Sequence, residues 1–309
     1  MTTTTRPDLY ADITNRIVSQ LEQGVRPWHQ PWNAKHKAGN ISRPLRNTGQ
    51  PYQGVNVLVL WLTAYERGYT CPIWMTFQQA KAMNAFVKKG EKGTAVVYAN
   101  TFEKKETDKA TGEEHTAKIP FLKSYTVFNA EQIEGLPGHY TALAEGQKNL
   151  SERLDFAEEF FTNTEAETRH GGNRAFYSPS QDFIQLPPFE SFENRESYYS
   201  TRAHESIHWT KHERRLNRSF DSKRFGDDGY AIEELVAELG AAFLSADLGI
   251  APEVMPEHAS YLEAWLKVLK ADKKAIFTAA SHASRAVEYL HQFQPATVST
   301  IETPELTMA

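Results

Sequence analysis

The sequence holds a single cysteine, Cys71, among 309 residues. One thiol excludes an internal disulfide and fits a chain that folds in a reducing cytoplasm. Long apolar runs are also missing: the most apolar piece, residues 55–62, is far short of the roughly 20 residues a membrane span needs. The first residues, Met-Thr-Thr-Thr-Thr-Arg-Pro-Asp, lack the apolar core of a signal peptide. With 40% apolar residues and a mean hydropathy of −0.56, the composition is that of a soluble globular protein, expected in the cytoplasm and without a membrane partner. No internal repeat is present, and the length argues for two domains rather than one.

Glycine and proline are absent from residue 195 to residue 216, among good helix formers. One helix is therefore expected across His204-Glu205-Ser206-Ile207-His208. Residues i and i+4 share a helix face one turn apart, so both imidazoles can reach one metal ion. Glu205, beside the first histidine, can serve a metal-activated water as general base. A site of this kind needs a third protein ligand, and residues 230–244 form a second apolar helical pattern carrying Glu234 and Glu238 four apart on one face. Carboxylates in an apolar stripe need a partner, because an unpaired buried charge is costly. Glu234 is assigned as third ligand, and Glu238 as the carboxylate that accepts from a ligand imidazole N–H. Glu233 points about 100° away on the helix and is the weaker candidate. His212 continues the row, but His204 and His212 lie about 12 Å apart along the axis, too far for metal–nitrogen bonds of about 2.1 Å to span. The expected cofactor is one Zn2+, with another divalent transition metal also compatible.

Charge is unevenly spread. Residues 1–130 carry 17 Lys and Arg against 10 Asp and Glu, a balance of +7. Of the 34 and 39 in the whole chain, that leaves 17 and 29 for residues 131–309, a balance of −12. A basic first part points to a polyanionic partner. It opens with an amphipathic helix over residues 8–23, where Leu9, Ile13, Ile17 and Leu21 recur at helical spacing and Gly24 ends it. Next comes a proline-broken loop with Arg26, Trp28 and Trp32, then Lys35, Lys37, Arg43 and Arg46. The two indoles are either stacking platforms for bases beside phosphate contacts or rings packed on the first helix. Helices follow in 52–68 and from Trp74, with Thr76 as a plausible N-cap. A basic turn with Lys88, Lys89 and Lys92 leads into a strand over 95–102, paired antiparallel with one over 120–129. The glycine- and proline-containing stretch to residue 149 reads as a connection. Beyond it are a helix at 150–163, strands at 174–178 and 182–186, the two helices of the metal site, and helices at 257–270 and 273–292. Residues 294–309 read as a disordered tail.

These residues carry a resemblance. Gly24-x-x-Pro-Trp-x-x-Pro-Trp32, Pro51-Tyr-x-Gly-x-Asn56, Trp74-Met-Thr-Phe, Lys89-Gly-Glu-Lys-Gly-Thr and Tyr125-Thr-Val-Phe-Asn-Ala-Glu-Gln-Ile resemble the single-stranded-DNA-binding domain of ArdC-type antirestriction proteins. Asp182-x-Ile-x-Leu-Pro, Tyr198-Tyr-Ser-Thr, His204-Glu-x-x-His-Trp-Thr and Glu233-Glu-Leu-Val-Ala-Glu are similar to the zincin-like metallopeptidase domain that follows it in that family. The resemblance implies a two-domain α+β protein: a DNA-binding domain at 1–135, a linker at 136–149 and a zincin-like, gluzincin- or SprT-related domain at 150–293. By position it makes His204, His208 and Glu234 metal ligands and Glu205 the base, and it nominates Trp28, Trp32 and the Lys88–Lys92 turn for DNA. It further implies a plasmid-borne protein that shields incoming DNA from restriction during conjugation, with single-stranded DNA as partner and double-stranded DNA bound more weakly. The alternative is a DNA-activated metalloprotease cutting a DNA-bound protein, with Tyr198, Tyr199 and Tyr230 all open as oxyanion partners. A purely structural metal staple is the third reading. Oligomeric state stays open.

Overall fold

The computed structural model describes residues 8–28, 42–107, 114–142, 150–220, 228–250 and 261–295. Helix α1 (Leu9–Glu22) starts where the Asp8 carboxylate accepts from the backbone N–H groups of Tyr10 and Ala11. Gly24, at φ +75°, takes the left-handed conformation that ends it. Strand β1 (Leu45–Arg46) and helix α2 (Val55–Arg67) come next. The segment expected to begin a helix at Trp74 is instead strand β2 (Ile73–Met75). It is buried and hydrogen-bonded on both sides, and helix α3 (Phe77–Ala82) begins only after the capping box of Thr76 and Gln79. Short strand β3 (Phe86–Val87) precedes a long hairpin, β4 (Thr94–Thr107) and β5 (Glu114–Asn129). Both hairpin strands run further than the polarity of residues 103–118 suggested. The first sheet has the order β1-β2-β5-β4, and β3 pairs separately with β6 (Ile133–Glu134). The expected connection carries a short helix, α4 (His139–Ala142), and its Tyr140 is buried in a small core with Ile73, Met75 and Ile133.

The second half begins with α5 (Leu150–Asn163), followed by β7 (Thr168–His170), β8 (Phe176–Ser178) and β9 (Phe183–Leu186). The expected antiparallel pair β8–β9 is present, and β7 adds a parallel third strand on the far side of β9. A three-residue parallel strand leaves no periodic signal, because its partner is remote. Helices α6 (Arg195–Trp209), α7 (Asp228–Leu248), α8 (Leu262–Ala271) and α9 (Ala275–His291) complete the fold. No helix among the described residues is long and apolar enough to cross a membrane.

The two sequence domains share one apolar core. Trp28 meets Trp265 edge-on at 6.2 Å, and Trp61 meets Phe243 at 5.6 Å. Polar ties cross the same seam: Thr14 Oγ1 donates to Lys273 O at 2.7 Å, Ser284 Oγ accepts from Gly54 N at 2.8 Å, and Arg43 pairs with Asp247 at 2.8 Å.

Candidate metal centre

Helix α6 begins at Asn194, whose side chain accepts from Ser197 N at 2.7 Å, and its residues from Tyr198 to Trp209 are buried. At its far end Arg215 lies over the Trp209 ring at 3.9 Å and reaches Asp182, which also accepts from the Tyr177 hydroxyl at 2.8 Å. This tie anchors the helix to the β8–β9 turn. Helix α7 then lies so close to α6 that a Cβ on Gly240 would stand 2.8 Å from Ile207 Cγ1. Any larger residue there would have to push the Ile207 side chain aside, so glycine suits the close approach of the helix that carries Glu234.

Among the described residues one group of possible metal ligands converges, His204, His208 and Glu234, with all three donor atoms within 4.8 Å of one another. His204 Nε2 is 3.5 Å from one Glu234 oxygen, and His208 Nε2 is 3.6 Å from the other. Those gaps exceed a good hydrogen bond. They match the roughly 3.4 Å between ligands of a tetrahedral ion with bonds near 2.1 Å. Two neutral-capable imidazoles and one carboxylate thus fit a divalent metal. Glu205 is buried beside His204 on the same helix. His212 falls beyond the helix, where its Nδ1 accepts from Arg214 N at 3.2 Å, away from the trio.

Behind the two histidines stand two more carboxylates. His208 Nδ1 is hydrogen-bonded to Glu233 at 2.9 Å. Glu233 in turn receives two bonds from the buried Arg218, Nε to Oε2 at 2.8 Å and Nη2 to Oε1 at 2.9 Å. Arg218 spends its other donors on Thr210 Oγ1 and Ile207 O, both at 3.0 Å. Burial works against the Glu233 charge, but His208 and Arg218 outweigh it and pull its pKa down to about 2. Burial likewise opposes a charged His208, and the Glu234 and Glu233 carboxylates reverse that, raising it to about 9 without a metal. The same ring charges hold Glu234 well below the usual carboxylate range, against its own burial.

Glu238, expected to accept from a ligand imidazole, sits 4.0 Å from His204 Nδ1, longer than a hydrogen bond. The closely bonded acceptor is Glu233, which a helical-wheel argument had pointed away. His208 lies in the groove between the helices, so its Nε2 meets Glu234 while its Nδ1 meets Glu233. Glu238 instead takes the Arg26 guanidinium at 3.4 Å and the Trp28 indole N–H at 3.5 Å, both from the N-terminal half.

This placement corrects the reading of the tryptophan loop. Trp28 is 0% exposed, so neither face of its ring is available to a base. Arg26 is buried over the Trp265 ring, and Arg43 is buried against Asp247 and the Phe243 ring. Neither guanidinium is exposed to solvent, where a backbone phosphate would lie. Arg46 is exposed over the Tyr52 ring, and Lys88, Lys89 and Lys92 are exposed on their turn, with Lys88 Nζ donating to Glu131 O. Trp32, Lys35 and Lys37 lie outside the described residues. Of the three candidate tyrosines, Tyr198 bonds His170 at 2.9 Å and Tyr199 bonds Glu158 at 2.9 Å. Tyr230 bonds Tyr261 at 3.0 Å, and its pKa is raised by burial, by Tyr261 and by the Glu234 carboxylate. Arg218 and Gly240 were missed, and Glu233 was set aside as the weaker ligand candidate. The glycine in the middle of an apolar helix was the signal available.

Residues 7–128 match the model of the N-terminal domain of anti-restriction factor ArdC, and residues 155–282 match a zincin-like metallopeptidase model. The crystal structure of the antirestriction protein ArdC from plasmid R388, solved metal-free, superposes with a TM-score of 0.76 at 44% identity, covering 93% of this chain and 98% of that one. Its Mn(II)-bound form superposes with a TM-score of 0.75. Protein y4eC of Sinorhizobium fredii is 37% identical over 295 residues, 94% of each chain. DNA primase TraC of Escherichia coli is 36% identical over 300 residues, 92% of this chain but 27% of the primase.

Proposed function

The chain belongs to the family of ArdC antirestriction proteins, and from that premise we propose that it binds single-stranded DNA and protects incoming plasmid DNA from host restriction during conjugation. The observation that carries this reading is the likeness over nearly the whole chain to an antirestriction protein, spanning both halves at once. The plasmid context is supported by the likeness to the ArdC protein of plasmid R388. The reading places the protein in the cytoplasm, where transferred DNA arrives, with single strands preferred over duplex.

A second reading is favoured by the intact metal centre: proteolysis of a DNA-bound protein. His204, His208 and Glu234 would hold one Zn2+, which when bound would supply Lewis acidity towards a scissile carbonyl. Glu205 would take the proton of the attacking water and pass it to the leaving amine. Glu233 would hold the His208 ring in one tautomer by accepting from Nδ1–H, with Arg218 keeping that carboxylate charged. Tyr230 is the tyrosine best placed to steady the developing oxyanion. A peptide would run along β8, an outer strand of its sheet.

Restriction of transferred DNA, measured in recipient cells carrying wild type or Glu205→Ala, separates the readings. Equal protection makes DNA binding the function. Lost protection with unchanged DNA affinity makes the protein an enzyme. Protection by neither, with both proteins present, sinks the antirestriction reading.

A further inference from the structure

With Trp28 closed in the core, a base-stacking surface has to be sought among rings that reach solvent. Two of them sit on the hairpin, Tyr98 at 49% and Tyr125 at 36% exposure. The strand register decides which side chains accompany them. Tyr98 is opposite Lys123, and Val96 is opposite Tyr125. Directly opposed residues, and every second residue along a strand, project from the same face. Tyr98, Lys123 and Tyr125 therefore share one face, with the two rings diagonal neighbours about 7–8 Å apart.

The register carries that face across the sheet. Asn129, two pleats beyond Tyr125, is opposite Trp74, and Trp74 is opposite Arg46. The end bearing Trp74, Val96 and Val127 is buried, and the end bearing Tyr98, Lys123 and Tyr125 is open. Arg46 lies exposed at 5.5 Å over the Tyr52 ring. Tyr52 is buried, its N–H donating to Pro44 O at 2.8 Å, and its pKa is raised first by burial and then by the Tyr125 phenol. Along these two strands the charge is of one sign: no acidic residue occurs between Lys92 and Phe102 or between His115 and Ala130.

Resting on the single-strand-binding reading above, we propose that this face of the hairpin is the DNA site, with Tyr98 and Tyr125 each stacking one base and Lys123 and Arg46 contacting the flanking phosphates. Two adjacent rings accompanied by a lysine and an arginine match what a single strand offers, unstacked bases on a repeating anion. A duplex hides its base faces, so the preference for single strands follows from the rings. Sequence preference is weak, since every base has a stacking face.

The test is fluorescence anisotropy of a labelled mixed-sequence DNA oligonucleotide with the full-length protein at several salt concentrations. Each of Tyr98→Ala and Tyr125→Ala is expected to weaken binding on the order of tenfold, and Tyr→Phe at either position to retain it. Lys123→Ala is expected to lower the slope of log affinity against log salt by about one. Unchanged affinity in the doubly substituted Tyr98→Ala, Tyr125→Ala protein, with wild-type circular dichroism, overturns the assignment while leaving single-strand binding standing. Equal losses with Phe and Ala overturn stacking as the mode of contact. Wild-type protein that shows no salt-dependent binding overturns the single-strand reading itself, and this site with it.

Discussion

The backs of the two histidines are built differently. His208 leans on Glu233, and Glu233 is held by Arg218, all within residues 208–233 of the C-terminal half. His204 faces Glu238, and Glu238 is held by Arg26 and Trp28 from more than 200 residues earlier. Each imidazole of the candidate metal site thus has a buried carboxylate behind it, and each carboxylate has a buried arginine. One of these chains is local and tight, at 2.8–2.9 Å. The other crosses between domains and is slack, at 3.4–4.0 Å. The contrast teaches that the N-terminal half helps to wall the candidate metal centre.

The sharpest way to break the comparison is to remove what the two sides share. Glu234→Ala is expected to lower metal affinity by more than the 10–100-fold typical of an outer partner, read by metal content after dialysis against a weak chelator. Wild-type metal content in that variant would exclude Glu234 as a ligand. Next in size are the two backs themselves. Arg218→Leu strands Glu233 in the interior and is expected to cost about 3–5 kcal/mol of unfolding free energy. Trp28→Ala removes a fully buried ring and is expected to cost about 3–5 kcal/mol as well. Their metal affinities should part company: a larger loss with Arg218→Leu fits the tighter chain behind His208, and a larger loss with Trp28→Ala would reverse the ranking drawn from distances.

Gly240→Ala tests how the helices are brought together. Overpacking against Ile207 costs about 1–3 kcal/mol, and the better helix propensity of alanine returns up to about 1 kcal/mol. Net destabilisation is expected, with weaker metal binding because Glu234 is displaced from the histidines. The smallest effect belongs to Asp182, whose pKa is held down first by its hydrogen bond to Arg215. A depressed carboxylate contributes stability that is fully present above the unfolded value of about 3.9 and is lost as pH falls through the folded value. Asp182→Asn should therefore destabilise slightly at pH 7, by the ~0.2–1 kcal/mol of a partly exposed pair, and the difference from wild type should shrink as pH falls below about 4 and vanish only below the folded value.

Much of the candidate metal site was legible beforehand because it depends on local periodicity. His204 and His208 share a face by the pitch of a helix, and Glu234 follows from a carboxylate set in an apolar helical stripe. Helix caps behave the same way: Asp8, Thr76 and Gly24 act within three residues of themselves. The strand at Ile73–Met75 was not legible, since its three residues become a strand only through β1 and β5 on either side. Nor was the role of Glu233, which depends on how the His208 ring sits between two helices rather than on the wheel of either.

The sequence by itself determined the pair of histidines, the helix that carries them and the glutamate beside them, because neighbours on one helix need no partner to set their spacing. It also determined the basic and acidic halves. The tertiary structure decided which charges and rings reach solvent. Trp28, Arg26 and Arg43 look in the sequence like groups for DNA, and the packing of α8 and α7 against the N-terminal half turns them inward as core and as counter-charges. Burial is a property of the surface that covers a side chain, and here that surface comes from the other end of the chain.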